Sequence, residues 1–247
     1  MVLTALRGAV GFLTRVPVGS DERAWNAFRQ SPVVFPLVGY AIGAVVAVPL
    51  FLPIPAPTVA VLFVLGLYLL TGITHVDGVA DLGDALVVHG SRAERREVLK
   101  DTTVGVGAVV SVGILLVGLT MAALTLATLP QRAVLLVVTA EVSAKLGMAV
   151  VACVGTATHE GLGSALTGPS GTRSMLAPTV VSLPAAAMTW PDPASAATFA
   201  GGLLSTAAVF LWARHRLGGI NGDIFGAGNE IARVVALHVG VITWTQL

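Results

Sequence analysis

The sequence predicts an all-α fold: a polytopic membrane helix bundle of about seven transmembrane helices, with an N-terminal interfacial helix before them. Two observations lead to this prediction. Of the 247 residues, 55% are hydrophobic and only 11% are charged, a composition much more apolar than that of a soluble domain. Long apolar segments also recur along the whole chain, with most charged residues between them. We therefore expect residues 1–247 to form a single integral-membrane domain.

The interfacial helix is predicted at residues 1–18. Arg7 interrupts the apolar stretch, so this segment lacks the uninterrupted apolar core of a signal peptide. At helical spacing, Arg7 and Arg15 fall within one narrow arc, and apolar side chains cover the remainder of the helix. Pro17 is expected to end it.

Apolar segments of roughly membrane-spanning length follow. They are predicted at 34–52, 57–76, 104–128, 131–154, 174–190, 195–213 and 230–247. In the first of them, Gly39 and Gly43 form a pattern of two small residues one helical turn apart, which favours close packing of two helices.

The distribution of lysine and arginine predicts the orientation in the cell membrane. If the N-terminus is cytoplasmic, all of the 14 basic residues except Arg132 and Lys145 lie on or beside the cytoplasmic side. The C-terminus is then outside, and the candidate chemistry faces the cytoplasm. Four cytoplasmic stretches hold it, at 19–31, 75–103, 155–173 and 214–230. The basic residues are scattered, which argues against a nucleic-acid partner.

Three carboxylates directly follow the apolar segment at 57–76. In a helix that turns about 100° per residue, Asp81 lies about 40° and Asp84 about 20° from Asp77, so all three share one face. Like charges one turn apart destabilise a helix by about 0.2–0.5 kcal/mol per pair, which favours a bound cation. Oxygen ligands alone suit Mg²⁺ or Mn²⁺ better than zinc. The alternative is a solvated acidic helix end.

Asp101 lies at the mouth of the next predicted helix, close to two glycines that would let a phosphate approach the backbone. Its carboxylate either completes the acidic cluster or caps that helix.

Further candidates lie in the two later cytoplasmic stretches and inside the fourth apolar segment. The glycine-rich stretch at 155–173 is compatible with nucleotide binding, whereas Arg214 is equally well explained as an orientation signal and Asp223 as a helix cap. Glu141 and Lys145 are one helical turn apart in the favourable order for an ion pair. That pair is either functional or a packing pair that fixes the register of two helices.

Several motifs, in their order and spacing, carry a resemblance to a known family. They are Phe12 to Pro17, Phe35 to Gly39, His75 to Asp81 with Asp84, Lys100 to Thr102 with Gly105, Glu160 to Gly163, and Gly222-Asp223 with Gly226-Ala227 and Asn229-Glu230. The chain resembles the cobalamin synthase family, adenosylcobinamide-GDP ribazoletransferase. The stretch from His75 to Asp81 is the most specific part of this resemblance.

The resemblance implies a multi-pass membrane enzyme of the last steps of cobalamin biosynthesis. In that reaction α-ribazole, or its 5′-phosphate, attacks the phosphate carried by cobinamide in adenosylcobinamide-GDP and releases GMP, with Mg²⁺ required. A carboxylate-held ion neutralises charge in such phosphoryl transfers, and a free carboxylate can accept the hydroxyl proton. The partners expected are these two small molecules and membrane lipid, and no oligomeric state or lower base is predicted.

The candidate residues fall into three groups. The catalytic and metal-binding candidates are Asp77, Asp81, Asp84 and Asp101. The substrate-binding candidates are His75, Lys100, Thr102, Glu160, Arg173, Arg214, Asn221, Asp223, Asn229 and Glu230. Glu141 and Lys145 form the third group.

Two alternatives compete with this interpretation. A CDP-alcohol phosphatidyltransferase-like enzyme also clusters aspartates at a membrane surface, but its pattern has Ala-Arg where this chain has Ala80-Asp81. A cation transporter would use intramembrane acids such as Glu141. The acids here cluster at one surface instead, and the sequence has no internal repeat.

The predicted orientation can be tested by cysteine labelling. After Cys153, the one cysteine of the chain, is replaced by serine, cysteines introduced at Ser91 and Gly168 should react only with reagents that reach the cytoplasmic side. A membrane-impermeant maleimide applied to intact cells and to inverted vesicles makes the comparison. Labelling at position 91 from outside intact cells would overturn the orientation.

Overall fold

The computed structural model describes residues 2–19 and 21–246, which are almost entirely helical. The α-helices are α1 (Val2–Leu13), α2 (Glu22–Arg29), α3 (Val34–Val46), α4 (Ala56–Thr71), α5 (Thr74–Val87), α6 (Arg92–Val98), α7 (Val106–Leu126), α8 (Leu135–Val154), α9 (Leu162–Thr167), α10 (Leu176–Ala186), α11 (Ala194–Arg216) and α12 (Gly222–Gln246). Short 3₁₀ helices lie at Val48–Phe51, Gln131–Val134 and Thr172–Met175. The described residues contain no strand, only one isolated bridge between Ala157 and Ile220. The all-α prediction is confirmed.

Five helical segments are long and apolar enough to cross a membrane. They are Val34–Phe51, Val106–Leu126, Gln131–Val154, Ala194–Arg216 and Gly222–Gln246, and α4 with α5 would make a sixth if that bent pair is one span. The predicted count of seven is not confirmed. The segment predicted at 174–190 accounts for part of the difference, because α10 has only 11 residues, with Pro184 inside it.

The apolar segment predicted at 57–76 also ends early. The α4 helix stops at Thr71, and α5 leaves it at an angle of 99°. Gly72 makes the turn with φ of 75°, a left-handed conformation that costs glycine little. The acidic stretch is thus not a continuation of α4. Because all three aspartates lie within α5, they still share a helix.

The last helix begins earlier than predicted, at Gly222 rather than near residue 230. The side-chain Oδ1 of Asn221 accepts a hydrogen bond from the Ile224 amide at 3.2 Å and so caps this helix. Asn229 and Glu230 therefore lie inside a buried helix and not in a cytoplasmic stretch. One of the glycines that indicated a loop allows close packing instead: a Cβ on Gly226 would lie 2.9 Å from the Cα of His75.

The α8 helix lies at the centre of the bundle, packed against α3, α11 and α12, and is buried on nearly all sides. Gly39 and Gly43 of α3 face it. A Cβ on Gly43 would lie 2.6 Å from the Cα of Val138. The predicted close packing at these two glycines is confirmed.

The N-terminal helix α1 has 12 residues, too few to span a membrane, and it packs on α2. It ends at Leu13, four residues before Pro17. Phe28 of α2 stacks against Phe12 at 5.3 Å between ring centroids and against Phe35 of α3 at 4.9 Å. This aromatic cluster fixes the end of α1 beside the main bundle.

The acidic helix α5 is held tightly between α7 and α12. A Cβ on Gly78 would lie 2.5 Å from the carbonyl oxygen of Asp223 in α12. On the other flank, a Cβ on Gly83 would lie 2.6 Å from the carbonyl oxygen of Gly107 in α7. These glycines let three helix backbones approach closely, and they place the first turn of α12 against the acidic stretch.

The packing of α3 on α8 predicts opposite effects for two glycine substitutions. Gly43→Ala should lower the free energy of unfolding by about 1–3 kcal/mol, because the added methyl group meets backbone. Gly66→Ala in α4 is the matched control, since nothing lies within 4 Å of its Cβ position. It should be neutral or stabilising, by up to about 1 kcal/mol. Thermal unfolding in detergent measures both; equal effects would contradict the packing described.

Candidate active site

Two adjoining cavities open at the end of the bundle where α5 and α12 begin. The main cavity, of about 490 Å³, is lined by Gly11, Phe12, Thr74, His75, Met148, His159, Leu162, Asn221, Gly222, Asp223, Phe225 and Gly226. The side cavity, of about 300 Å³, is lined by Ala93, Arg96, Glu97, Leu99, Lys100, Thr158, His159, Asn221 and Asp223. Because His159, Asn221 and Asp223 line both, the cavities meet at these three residues.

A short pairing of two loops builds the wall that the cavities share. The Thr158 amide donates to the carbonyl of Ile220 at 3.0 Å, and the Ile220 amide donates to the carbonyl of Thr156 at 2.9 Å. This pairing holds His159 beside the first turn of α12. Sequence reasoning did not select His159, because the two loops are more than 60 positions apart.

Three carboxylates lie near one another here: Asp223 of α12, which belongs to this wall, and Asp77 and Asp81 of α5, which line neither cavity. Asp81 lies within electrostatic range of both Asp77 and Asp223. Asp77 is exposed, whereas Asp81 and Asp223 are half-buried. Asp223 accepts a hydrogen bond from the side-chain NH₂ group of Asn221 at 2.6 Å. Asn221, and not Asp223, caps α12, so the interpretation of Asp223 as a cap is wrong. Within the described residues, no lysine or arginine forms a salt bridge with these three acids.

The third predicted acid of the motif, Asp84, has a different environment. Its two carboxylate oxygens accept hydrogen bonds from the backbone amides of Gly105, at 2.8 Å, and Ala108, at 2.9 Å. These amides are at the N-terminus of α7, where a carboxylate satisfies unpaired N–H groups and complements the helix dipole. Asp84 therefore fixes α7 to α5, and its oxygens are already engaged.

Asp101 lies in the exposed loop between α6 and α7. Its carboxylate accepts a hydrogen bond from the Thr103 amide at 2.9 Å, and this bond holds the pKa of Asp101 below its ordinary value. It does not cap α7, since Asp84 does so, and the interpretation of Asp101 as a helix cap is wrong. The structure does not place Asp101 among the acids that act on Asp81.

The acids meet the chemical requirement for Mg²⁺ but do not form a closed site. Across residues 2–19 and 21–246, no three His, Cys, Asp or Glu side chains are already arranged around a metal position. The donor type fits a hard cation, because Asp77, Asp81 and Asp223 offer only carboxylate oxygens and repel one another, with the imidazole of His159 beside Asp223. The magnesium requirement stays a prediction.

Behind the main cavity, a buried set of charged side chains joins α8 to α12. The predicted pair is present, with Lys145 Nζ at 3.4 Å from Glu141 Oε2 and both side chains almost completely buried. Arg233 binds Glu141 through two nitrogens and lies 2.5 Å from Glu230 through Nη1. Two acids and two bases thus compensate each other, as buried charges must.

Arg233 is 1% exposed and lies inside the bundle. Tyr68 of α4 also belongs to this set, donating to Glu230 at 3.2 Å. A signal for Arg233 exists in the sequence: an acid and a base three residues apart inside an apolar helix favour an ion pair. No comparable signal marks Tyr68.

Asn229 connects these charges to the main cavity. Its side-chain oxygen accepts a hydrogen bond from Lys145 at 2.6 Å, and its amide nitrogen lies 3.1 Å from Nδ1 of His75. His75 lines the main cavity. The charged core of the bundle thus reaches the cavity through one hydrogen-bonded side chain.

The basic residues near the site divide by role. Arg96 and Lys100 line the side cavity. Arg92 donates to the carbonyl of His215 at 3.0 Å, and Arg95 donates to the carbonyl of Ala85 at 2.7 Å, so both hold α6 in place. Arg214 lies over the ring of Phe210 at 5.6 Å.

The predicted substrate-binding residues are accordingly separated. The cavities are lined by His75, Lys100, Asn221 and Asp223. Asn229 and Glu230 lie in the buried charged set. The remaining candidates, Thr102, Glu160, Arg173 and Arg214, are exposed and line neither cavity. The sequence did not point to Arg96, Met148 or Phe225 as lining residues.

The fold and this site define a helical protein with five to six candidate membrane spans and a cavity at one end of the bundle, with a cluster of carboxylates around Asp223 beside it. Comparison with known proteins identifies the family. A family model described as cobalamin-5-phosphate synthase matches residues 5–241, and the chain belongs to that family.

Curated relatives cover the whole chain. A protein of Halorubrum lacusprofundi named adenosylcobinamide-GDP ribazoletransferase is 53% identical over 100% of both chains. Proteins of the same name from Haloquadratum walsbyi and Methanocella arvoryzae are 45% and 34% identical, each aligned over 99% of this chain and 99% and 98% of their own lengths. No solved structure matches the chain significantly. These findings favour the ribazoletransferase interpretation over the two alternatives.

The environment of Asp84 predicts a stability effect that Asp77 should not show. Asp84→Ala removes the acceptor for two helix N–H groups and should lower the free energy of unfolding by about 0.5–2 kcal/mol. Asp77→Ala, at an exposed position of the same helix, is the control and should leave the melting temperature unchanged. Thermal unfolding in detergent compares them. An equal loss in both variants would argue against the capping role.

Proposed function

We propose that this protein is an adenosylcobinamide-GDP ribazoletransferase. It joins α-ribazole, or its 5′-phosphate, to adenosylcobinamide-GDP and releases GMP. The family match over residues 5–241 and the full-length relatives of that name support this assignment. The structural observation that supports it is an acidic cluster whose member Asp223 lines the same cavity as Arg96 and Lys100.

The side cavity suits the diphosphate and its nucleotide. Lys100 offers a compact positive charge and Arg96 a planar fork that matches phosphate oxygens. Both line this cavity together with Asp223, which also lines the main cavity. The phosphate that is attacked would therefore lie near the wall that the cavities share.

The main cavity suits the ribazole. Phe12, Met148 and Phe225 give it an apolar and partly aromatic lining, suited to a flat heteroaromatic base. His75, His159 and Asn221 supply polar groups for the ribose. The attacking hydroxyl would then approach the phosphate from the side opposite Lys100.

We assign the role of Mg²⁺ ligands to Asp77, Asp81 and Asp223. When bound, the ion would neutralise the charge of the diphosphate. A carboxylate of this cluster that is free of the ion accepts the proton of the attacking hydroxyl. Asp84 holds α5 against the N-terminus of α7 and so helps to fix the helix that carries Asp77 and Asp81.

We further place the protein in the cell membrane with this site on the cytoplasmic side. Large apolar side chains of α7 are exposed, as contact with lipid requires, among them Val109, Ile114 and Val117. Arg92, Arg96 and Lys100 lie at the end of the bundle that carries the cavities, in agreement with the cytoplasmic preference of basic residues.

The proposal predicts GMP release by the purified protein in detergent when adenosylcobinamide-GDP, α-ribazole and MgCl₂ are all present. Asp77→Asn should lower kcat by about a hundredfold or more, because it removes a ligand or base that acts in the transition state.

Lys100→Ala should raise KM for the GDP-linked substrate about ten- to a hundredfold, the effect of one hydrogen bond to a charged group.

Arg214→Ala is the matched control for Lys100→Ala, since Arg214 is also a cytoplasmic cation but lies against Phe210 and away from both cavities. It should leave KM unchanged. Chromatographic quantification of GMP over a range of substrate and Mg²⁺ concentrations gives the constants. Absence of GMP release by the wild-type protein would contradict the proposed function, and a larger effect at Arg214 than at Lys100 would move the nucleotide site.

A further inference from the structure

The imidazole of His75 lies between two environments. Its Nδ1 faces the buried charged set, 3.1 Å from the amide nitrogen of Asn229, and its ring lines the main cavity. The side chain is only 13% exposed. The hydrogen bonds on the buried side of the ring therefore determine which ring nitrogen carries the proton.

The orientation of the Asn229 amide follows from two neighbours. Lys145 Nζ can only donate, and it lies 2.6 Å from one end of the amide, which must be the oxygen. Glu230 Oε1 can only accept, and it lies 3.1 Å from the other end, which must be the NH₂ group. Turning the amide over would set donor against donor and acceptor against acceptor. The two neighbours thus fix the same orientation independently.

The NH₂ group of Asn229 then faces His75. An N–H donor at 3.1 Å requires an acceptor, so Nδ1 of His75 carries a lone pair. A proton on Nδ1 would oppose this donor, and the carboxylate of Glu230, at 3.8 Å, is too far to accept it in a hydrogen bond. The proton consequently sits on Nε2, the ring nitrogen on the side away from Asn229.

We propose that His75 is a substrate-positioning hydrogen-bond donor, whose Nε2–H is presented to an oxygen of the substrate in the main cavity. The ligand class is a phosphate or ribose oxygen, and this identity rests on the proposed function. With its proton on Nε2, the imidazole offers no lone pair to the cavity, so it is not the acceptor for the hydroxyl proton. That task is left to the carboxylates of α5 and α12.

The buried charges give Glu141, Lys145 and Asn229 a shared role in this arrangement. Lys145 is held by Glu141 and directs its ammonium group at Asn229. Asn229 in turn directs an N–H at His75. These residues are positioning residues, because they act on the cavity only through His75.

A pair of substitutions tests the donor role. In His75→Gln, the side-chain NH₂ group can reach the place of Nε2, whereas the shorter side chain of His75→Asn reaches only the place of Nδ1. We expect His75→Asn to lose about ten- to a hundredfold in kcat/KM, the effect of one hydrogen bond to a charged oxygen, and His75→Gln to lose clearly less. Equal losses in two variants with the same melting temperature would overturn the donor role.

A measurement without turnover tests the proton position itself. In protein labelled with ¹⁵N-histidine, the His75 signals, assigned by their absence in His75→Gln, should show protonated Nε2 and unprotonated Nδ1. Asn229→Asp cannot donate at this position, so it should move the proton to Nδ1 and lower kcat/KM. A wild-type spectrum with protonated Nδ1 would overturn the inference.

The two readouts separate this inference from the proposed function. A protein that shows the expected spectrum but releases no GMP would refute the transferase assignment and leave the proton position established. A protein that releases GMP but has a protonated Nδ1 would support the transferase assignment and refute the proton position. Lys145→Met supplies a further check on the spectrum: Glu230 alone should still hold the Asn229 amide in the same orientation, so Nε2 should stay protonated, and a proton on Nδ1 would overturn the inference.

Discussion

The pairing of two buried acids with two buried bases between α8 and α12 is the interaction on which the rest of the structure depends. An isolated charge at such depth costs several kcal/mol, so Glu141 requires Arg233 and Lys145 at hydrogen-bonding distance. These contacts leave α8 and α12 one acceptable register. That register fixes the first turn of α12, and with it the place of Asp223 against α5. The position of the acidic cluster is therefore a consequence of the charged core.

Features that depend on composition or on spacing within one helix could be predicted from the sequence, whereas features that depend on contacts between distant segments could not. The helical class, the close approach at Gly43 and the Glu141–Lys145 pair each depend on composition or on spacing within one helix. The bend at Gly72 could not be predicted, because the apolar pattern continues past it and only the φ angle of that glycine reveals the turn. The start of α12 was missed because its glycines resemble those of a loop, yet one of them, Gly226, lies where the backbone of α5 approaches.

The same distinction applies to the site. Helical periodicity places Asp84 on one face with Asp77 and Asp81, but it carries no information on what lies opposite each of them. The amides that engage Asp84 come from α7, about 20 residues further along the chain. The partner of Asp77 and Asp81, by contrast, is Asp223, which joins them only through tertiary structure. Three aspartates of one motif thus have different roles. Asp84 has a structural role, whereas Asp77 and Asp81 are available for chemistry.

The glycine contacts on the two flanks of α5 have a consequence for how this stretch can vary. Gly78 faces α12 and Gly83 faces α7, five residues further on, so both contacts must be met by the same helix at once. One inserted or deleted residue between them would rotate the second half of the helix by about 100° and replace a glycine by a larger side chain at one contact. The length of this segment is consequently as constrained as its composition, and variation in the family should be confined to substitutions there.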